Sequence, residues 1–389
     1  MTLDAQTVPT RPGGFSPVAV SRRDRFNEWL DQHSGRLFIA PAVTLILLFS
    51  IFPTIASLVI AVSRVKLSGD GFRFRFVGLQ NFTKLFAGND QIHFLGRFNE
   101  MSVIGWVLIA ATIAWCGRWL WRQWRTGFSF IGFVGRLITV SALIGLAVVL
   151  AGTALSGNPW GTLGTTMFYV IVGCTVQFGI GLGLAILCSQ QIRGKNFFRV
   201  VFFIPMMITP LGVGYAFRMV ADPTVGPFAP VWQWFGLGGF AWASDPWTAR
   251  LFIVIGDSWQ WIPFIFIVML AALENVPRDY VEAAQVDGAS GTQIFREITW
   301  PAIIPVAATV MLIRAIEAFK IVDLPNIMTS GGPGIATESM TLQAVFAWRS
   351  NDFGSSAAVA YLLLFVTVVL CASFFNFVVL QHIRKGQSA

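Results

Sequence analysis

A polar stretch between Pro277 and Pro305 is the longest interruption among the hydrophobic segments of the C-terminal half of the chain. Pro277 suits the first turn of a helix, where its missing N–H has no intrahelical partner to lose. Asp279 and Glu282 lie near that start, and acidic groups there interact favourably with the helix dipole. Gly288 can end or bend the helix, because glycine adopts a positive φ without strain. The residues are therefore typical of a short helix at a membrane surface that ends in a glycine bend.

The side chains of this stretch are suited to contact with another protein. Ala283, Ala284 and Ala289 are small enough to let a partner's backbone approach closely, and Glu282 and Asp287 can meet basic groups on that partner. An ordinary polar loop between two membrane spans fits the same residues. A second short helix is predicted over residues 292–298, and a membrane helix is predicted to start at Pro301.

Ionisable residues inside hydrophobic segments form the second candidate group. A charge placed in hydrocarbon costs about 2.5–3.5 kcal/mol on insertion scales, so Asp257, Arg314, Glu317 and Lys320 must face a cavity or a partner. The last three are spaced by three residues, which places Glu317 beside both bases on one helix. Local ion pairing and the lining of a transport pathway remain alternative interpretations.

Asp257, Gln260 and Trp261 together offer a carboxylate, an amide and an indole within one predicted span. Sugars need such a mixture, because their hydroxyls take polar partners while their C–H faces pack on aromatic rings. Helix packing alone also explains the tryptophan.

No catalytic motif in this sequence supports an enzymatic function. Gly194-Lys195 is followed by Asn196 and lacks the first glycine of a phosphate-binding loop, and neither a His-Glu-x-x-His nor a Gly-x-Ser-x-Gly motif occurs. The four cysteines have no metal-ligand spacing. We expect a protein that is not an enzyme and binds no cofactor or metal itself.

Composition places the chain in a membrane. Of 389 residues, 55% are hydrophobic and 12% are charged, which is too little charge to cover a water-soluble surface. The net charge is +8, but lysines and arginines lie at the ends of apolar runs, as in membrane proteins, and not in the clusters of a nucleic-acid binder. The predicted fold class is an all-α polytopic membrane protein.

About eight membrane helices are predicted. They cover residues 37–63, 101–117, 137–155, 167–189, 200–220, 249–273, 302–322 and 357–381. The predicted organisation is a disordered tail with a short surface helix (1–36), a first span and connector (37–100), an inserted helix pair (101–155) and a core domain (156–389) with the polar segment 277–301.

Charge distribution selects the orientation. With the N-terminus in the cytoplasm, the cytoplasmic segments carry 16 lysines and arginines and the opposite segments carry 7. Both termini and Glu282 are therefore predicted to lie in the cytoplasm. The basic connector Arg64–Glu100 is the exception, because its six lysines and arginines fall on the periplasmic side.

The spacing of the polar segment resembles the "EAA" loop of ABC-importer permeases, and Asp287-Gly288-Ala289 and Phe295 resemble the carbohydrate-uptake (maltose-type) branch. The matching residues are Glu282-Ala283-Ala284, Gly288, Ile298 and Trp300-Pro301, with tryptophan where the family usually has leucine. The resemblance implies a six-helix permease core, to which the helix pair at 101–155 is added. It also implies that Glu282, Ala283, Ala284, Asp287, Gly288 and Ala289 belong to a helix that docks into a separate ATPase.

Other stretches resemble the same family. Val77–Phe82 resembles its "GLxNF" stretch, and Thr329–Gly334 resembles its "TxGGP" loop, which implies that Gly331, Gly332 and Pro333 meet a solute-binding protein. The implied partners are a second homologous permease, two copies of an ABC ATPase that hold ATP and Mg, a periplasmic solute-binding protein, a sugar-like solute and lipid, but not nucleic acid. The implied location is the bacterial inner membrane.

A stand-alone ion-coupled transporter, with the intramembrane charges as its ion site, is the alternative function. Such a protein needs no ATPase docking helix, so the spacing from Glu282 to Pro305 weighs against it. A membrane-bound enzyme is a more distant alternative.

Overall fold

A computed structural model of the protein describes residues 22–68, 71–124, 130–153, 159–190 and 195–375. Helices dominate this part of the chain, which confirms the predicted all-α polytopic class. The helices in chain order are α1 (Arg22–Ile46), α2 (Phe52–Ala61), α3 (Gln80–Ala87), α4 (Gln91–Phe94), α5 (Val103–Trp124), α6 (Phe130–Gly152), α7 (Thr162–Phe168), α8 (Cys174–Ser189), α9 (Lys195–Phe203), α10 (Pro210–Ala221), α11 (Ala229–Trp234), α12 (Pro246–Glu274), α13 (Arg278–Val286), α14 (Gly291–Ile294), α15 (Trp300–Phe319), α16 (Asp323–Thr329), α17 (Met340–Arg349) and α18 (Phe353–Phe374). One antiparallel hairpin, β1 (Ser63–Ser68) and β2 (Gly71–Phe76), follows α2.

Seven helical runs within the described residues are long and apolar enough to cross a membrane. They are His33–Ala61, Val103–Trp121, Gly135–Gly152, Thr162–Ser189, Pro246–Glu274, Gly291–Phe319 and Phe353–Phe374. The bounds differ from the predicted ones by a few residues at most ends and by about eleven at the start of the 291–319 run. The last predicted span extends to residue 381, and its final residues lie outside the described part.

The described residues from Arg22 to Ser57 form a compact unit of their own. Its helix α1 begins at Arg22 and continues through Pro41 into a π-helical turn, Leu47–Ile51. The predicted short surface helix before residue 37 is therefore wrong, because the chain is already helical and runs without a break into the apolar segment. The predicted disordered tail falls on residues 1–21, which lie outside the described residues.

The segment expected to form a straight span over 200–220 is a bent pair of helices. Helix α9 and the 3-10 turn Ile204–Met207 meet α10 at an angle of 99°. Ile208 is extended at the bend, and Pro210 opens α10 with the Thr209 side chain accepting a bond from the Gly212 N–H. Proline cannot donate to the preceding turn, so the helix breaks there.

The connector after the first span is folded. Asn81 in α3 is buried and donates hydrogen bonds to the carbonyls of Ala61 and Ser63, at 2.8 and 3.0 Å. Gly354 at the start of α18 lies against the same group, because a Cβ there would come within 2.7 Å of the Asn81 amide nitrogen. The hairpin, α3 and the start of the last membrane helix are thus fixed to one another.

The helix pair α5 and α6 packs closely, since a Cβ on Gly105 would lie 3.2 Å from the Ala151 Cβ. On its other side, α6 joins two apolar clusters through Leu146 and Val149, which pack with residues of α18. The predicted pair at 101–155 is present as two helices. Its assignment as an insertion into a core fold remains a prediction.

Helix α12 lies at the centre of the main core. Its residues Ile265, Phe266 and Met269 are fully buried between α8 and α15. Gly181 makes the α8 contact possible, because a Cβ there would come within 2.8 Å of the Ile265 side chain. These three helices also carry most of the candidate site described below.

We predict that Asn81→Ala lowers the stability of the protein. The change leaves two buried carbonyls without donors, and we expect a loss of about 1–3 kcal/mol in the free energy of unfolding. Thermal unfolding in detergent measures it. Asn275→Ala is the matched control, because Asn275 bonds the Ala271 carbonyl at an exposed position. Equal melting temperatures for the two variants would contradict the prediction.

Candidate functional site

The polar segment forms a helix with a well-defined end. Helix α13 starts after Pro277, and Gly288 takes a φ of +81° just past its last turn. The Gly288 N–H donates to the Gln285 carbonyl and the Ala289 N–H to the Ala284 carbonyl, at 3.1 and 2.9 Å. This is a Schellman arrangement, in which glycine provides the left-handed residue. The predicted short helix and glycine bend are both present.

The second short helix does not end where the sequence suggested. Ser290 caps α14 in a capping box with Gln293, and a π-helical turn, Phe295–Thr299, joins α14 directly to α15. Pro301 lies in the first two positions of α15, as expected, but α15 is not a separate helix, because Gly291–Phe319 is one continuous run. The wide turn precedes the proline, which therefore falls where regular α-helical bonding is already interrupted.

Helix α13 has no buried residue and exposes apolar side chains. Tyr280 is 64% exposed and Val286 is 87% exposed, on the side of the helix that also carries Ala283. Glu282 and Asp287 are exposed beside them. Val281, Glu282 and Gln285 line a groove of about 760 Å³ beside the helix. An apolar helical face flanked by carboxylates is chemically suited to contact with a protein that carries basic groups.

The second part of the site is a cluster of buried polar groups between α8, α12 and α15. The Arg314 guanidinium forms an ion pair with Asp257 and donates through Nε to Gln177 Oε1 at 2.5 Å. The Gln177 Nε2 atom donates to Asp257 Oδ2 at 2.8 Å. The Trp261 ring lies 4.7 Å from the guanidinium carbon. Asp257 is 6% exposed and Arg314 is 1% exposed, so the charges neutralise each other away from water.

Glu317 was predicted to lie beside both Arg314 and Lys320, and it pairs with Lys320 but not with Arg314. Glu317 pairs with Lys320 at 2.7 Å, at the partly exposed end of α15. Arg314 instead turns to Asp257, because a buried guanidinium needs a buried carboxylate. Sequence spacing alone placed Glu317 equally near both bases and could not decide between them.

Gln260 has a structural partner at the helix break. Its Nε2 atom donates to the carbonyl of Ile208 at 2.8 Å. A broken membrane helix frees backbone groups that the surrounding protein must satisfy. Of the predicted pathway residues, Asp257 and Trp261 are therefore brought together, Gln260 supports the bend, and Glu317 and Lys320 form a separate exposed pair.

Sequence analysis missed Arg250, which is fully buried at the start of α12. Its Nε atom donates to the Ala336 carbonyl at 2.7 Å, and its guanidinium lies 3.9 Å from the centre of the Trp160 ring. An arginine inside an apolar run is a signal that could have identified it. Arg250 ties α12 to the loop that follows α16.

That loop holds the three residues expected to meet a binding protein. Gly331 is buried with a φ of +84°, while Gly332 and Pro333 are half-buried. Thr337 fixes the turn, since its N–H and its hydroxyl donate to the carbonyls of Gly331 and Gly332, at 3.1 and 2.9 Å. Because Gly331 is buried, its role is to form the turn of the loop. Direct contact of Gly332 and Pro333 with a binding protein remains a prediction.

A titratable pair anchors the same loop to the connector. His93 in α4 lies 2.9 Å from the buried carboxylate of Glu338. The hydrogen bond to Glu338 and the negative charge there raise the pKa of His93 above 6.5, although partial burial opposes the rise. The protonated imidazole therefore stabilises the folded connector.

The arrangement as a whole is that of a polytopic membrane protein with an exposed helix, α13, outside its long apolar runs. A family model described as "Binding-protein-dependent transport system inner membrane component" matches residues 177–385. That range includes Gln177, Asp257 and Arg314 as well as helix α13. The chain belongs to this family, whose members are membrane components of transport systems that depend on a solute-binding protein.

Individual relatives support this assignment. The trehalose/maltose transport system permease protein MalF of Thermococcus litoralis is 30% identical over 215 residues, which cover 55% of this chain and 72% of that protein. The sn-glycerol-3-phosphate transport system permease protein UgpA of Rhizobium meliloti is 29% identical, over 57% of this chain and 76% of its own length.

The fold resembles that of a solved transporter. A crystal structure of a bacterial ABC transporter involved in the import of the acidic polysaccharide alginate contains a chain that matches with a TM-score of 0.61. The identity is 15%, and the match covers 90% of this chain and 97% of that chain. At that identity, the comparison shows a shared fold.

We predict that Asp257→Ala destabilises the protein by about 3–5 kcal/mol, because it leaves the Arg314 guanidinium buried without a counter-charge. Glu317→Gln, which breaks the exposed pair, is the control and should cost at most about 1 kcal/mol. Thermal unfolding and membrane abundance measure both. Combining Asp257→Asn with Arg314→Gln should recover most of the loss. The prediction fails if Asp257→Ala melts at the same temperature as the control.

We also predict a pH dependence that comes from His93. Because the folded pKa is raised, the stabilisation is fully present below the unfolded value of 6.5 and is lost as pH rises through the folded pKa. Wild type should therefore melt above His93→Gln in acid, and the two should converge in alkali. A constant difference between them across this range would contradict the assignment.

Proposed function

We propose that the chain is one permease subunit of an ATP-binding-cassette importer for a carbohydrate or carbohydrate-like solute. Family membership and the names of the relatives support the proposal, since those proteins carry trehalose and maltose, glycerol phosphate, or alginate. The transporter would also contain a second homologous permease and two ATPase copies. A periplasmic binding protein would deliver the solute. ATP and Mg would bind in the ATPases, and this chain would hold no cofactor.

One observation carries the proposal. The docking helix α13 leads across the bend at Gly288 into the helical run that carries Arg314, because α14, the π turn and α15 are continuous from Gly291 to Phe319. Gly291 and Arg314 are separated by about 35 Å along this run at the usual helical rise. A displacement of α13 at the membrane surface would therefore reach the junction of three membrane helices through a stiff element.

The mechanism follows from that geometry. An ATPase would dock on the exposed face of Tyr280, Ala283 and Val286, with Glu282 and Asp287 meeting its basic groups. Closure of the ATPases around ATP would move α13, and α15 would then shift against α8 and α12. The cluster around Arg314 would keep the three helices in register while access to the solute alternates.

Solute contact is proposed for Trp261, Glu317 and Lys320. Asp257 and Gln260 are engaged by protein partners, so we assign them to holding helices together. The pair at the end of α15 lies at the end opposite to the docking segment. Gly332 and Pro333 are proposed to contact the binding protein, in a loop shaped by Gly331.

The proposal also includes the orientation of the chain in the membrane. With the bent pair counted as one span, the described residues contain up to eight candidate crossings, and eight crossings would leave both termini on one side of the membrane. The excess of lysine and arginine supports the cytoplasm for both termini and for α13. The membrane is the inner membrane of a bacterium.

We predict that Gly288→Pro uncouples the transporter and leaves it inserted. Proline fixes φ near −65° and removes the N–H that bonds Gln285, whereas Gly288 needs a φ of +81°. Uptake and solute-stimulated ATP hydrolysis in proteoliposomes of the whole complex should both fall about tenfold. Gly291→Pro is the control, because the first position of a helix accepts proline. Normal transport by Gly288→Pro would disprove the docking assignment.

Reversing the charge at the docking face tests the same assignment independently. Glu282→Lys should weaken ATPase binding, since it presents a cation to a basic partner, and co-purification of the ATPase should fall with uptake. Glu297→Lys reverses an exposed charge nearby on the π turn and should leave both unchanged. If the two variants behave alike, Glu282 has no specific role.

A further inference from the structure

The connector between α10 and α12 carries no charge. Residues 223–244 lie between Asp222 and Asp245, and none of these 22 residues has an ionisable side chain. They include three tryptophans and three phenylalanines. Soluble domains have about 25% charged residues, which would give about five in a segment of this length. The composition is therefore that of a segment in contact with an apolar environment.

Three of the aromatic side chains form the inside of the connector. The Trp232 ring packs against Phe240 and Phe252, with 6.0 and 6.2 Å between ring centroids. Its Nε1 atom donates a hydrogen bond to the Val220 carbonyl at 3.0 Å. Trp242 is buried and also packs against Phe252. These contacts attach the connector to the end of α10 and the start of α12.

The other three aromatic side chains face outward. Helix α11 and its two flanking residues place Phe228, Val231, Trp234 and Phe235 on one side, because residues three and four apart are neighbours on a helix. All four are exposed, Trp234 by 81% and Phe235 by 65%, whereas Ala229 is buried. We call these four residues the outer face of the connector. Exposed apolar patches of this kind mark sites that another apolar surface covers.

The connector lies at one end of a membrane helix. The 29 residues of α12 extend about 44 Å at the usual helical rise, which exceeds a hydrocarbon core of about 30 Å, so the helix ends reach the headgroup layers. Gln260, at the middle of α12, bonds the Ile208 carbonyl at the break before α10. From that depth α10 runs to Ala221, which shares a cluster with Trp242, and the Trp242 carbonyl accepts a bond from Thr248 in the first turn of α12. The connector is therefore at headgroup level, on the side of the membrane opposite to α13.

We propose that this connector is a membrane-interface anchor, whose outer face inserts into phospholipid at the boundary between headgroups and acyl chains. Aromatic side chains concentrate at this depth, and tryptophan suits it because an indole combines an apolar ring with a polar N–H. Since the connector has no charge, its contact with the membrane depends on apolar burial and not on anionic headgroups. The anchor holds α10 and the start of α12 at a fixed depth.

The proposal rests on membrane residence, which family membership establishes, and not on the solute or the ATPase. Phospholipid is favoured over a solute-binding protein, because a surface that a transient partner leaves in water has a polar rim, and the connector has no charged residue to supply one. Both ends of the connector also continue into helices of the membrane domain. Another membrane subunit is the competing occupant, and the experiments distinguish the two.

Spin labels on adjacent residues of α11 test the contact. Trp234→Cys on the outer face and Gln233→Cys on its exposed flank are labelled in the assembled transporter, in phosphatidylcholine nanodiscs, with the native cysteines replaced. The label at 234 should collide with oxygen severalfold more often than with a water-soluble nickel chelate, and the label at 233 should show the reverse. Shielding of the label at 234 from both reagents means that protein covers the face, and free access of the chelate means that water does. Either result overturns the proposal.

A photoreactive side chain identifies the occupant directly. Phe235 is replaced by p-benzoylphenylalanine in the assembled transporter, and illumination in nanodiscs should attach phospholipid to this chain, which mass spectrometry detects. The same replacement at Gln233 is the control and should give severalfold less lipid adduct. A crosslink from position 235 to another subunit or to the binding protein, in place of lipid, would refute the anchor.

Charge variants test the burial of the outer face. Trp234→Asp places a carboxylate at the edge of the hydrocarbon and should lower the amount of transporter in the membrane severalfold, whereas Gln233→Asp adds the same charge on the flank and should not. Addition of phosphatidylglycerol to the nanodiscs should leave the collision ratio of the label at 234 unchanged. Equal amounts of the two aspartate variants, or a ratio that follows headgroup charge, would contradict the proposal.

Discussion

The structure depends on one constraint, which is that polar groups inside a membrane protein must find partners within the protein. Arg314 meets this constraint through Asp257 and Gln177, and in doing so it joins α8, α12 and α15 at one point. Arg250 meets it only in part, through the Ala336 carbonyl and a tryptophan ring, because its two terminal guanidinium nitrogens are buried without a hydrogen-bond partner. Because an unsatisfied group in hydrocarbon is costly, these few bonds fix helix positions that apolar packing alone would leave free to slide.

The same constraint bears on the proposed coupling between a surface segment and the membrane interior. Helix α13 is attached to its neighbours by a capped bend at Gly288 and by a continuous run into α15, and it makes no buried contact of its own. Its position is therefore free to be set by a docked partner, while α15 is held firmly at Arg314. A bend at one end and a buried ion pair at the other are the features that the proposed coupling to an ATPase would need.

The sequence by itself determined the features that local chemistry controls. Apolar run length and low charge predicted a polytopic helical protein, because no other arrangement can satisfy the backbone in lipid. Gly288 and the acidic residues before it predicted a short helix with a left-handed end, and the structure has one. The spacing from Glu282 to Pro301 indicated the family, since that pattern is long enough to be specific.

Tertiary structure decided which distant groups meet. Arg314 bonds Gln177 across 137 residues and Asp257 across 57, whereas helical spacing offered only Glu317 as its neighbour. The bend near Pro210 and the run of α14 into α15 were likewise not predictable from the sequence. In each case several local conformations are nearly equal in energy, and the contacts that select one come from residues far away in the chain.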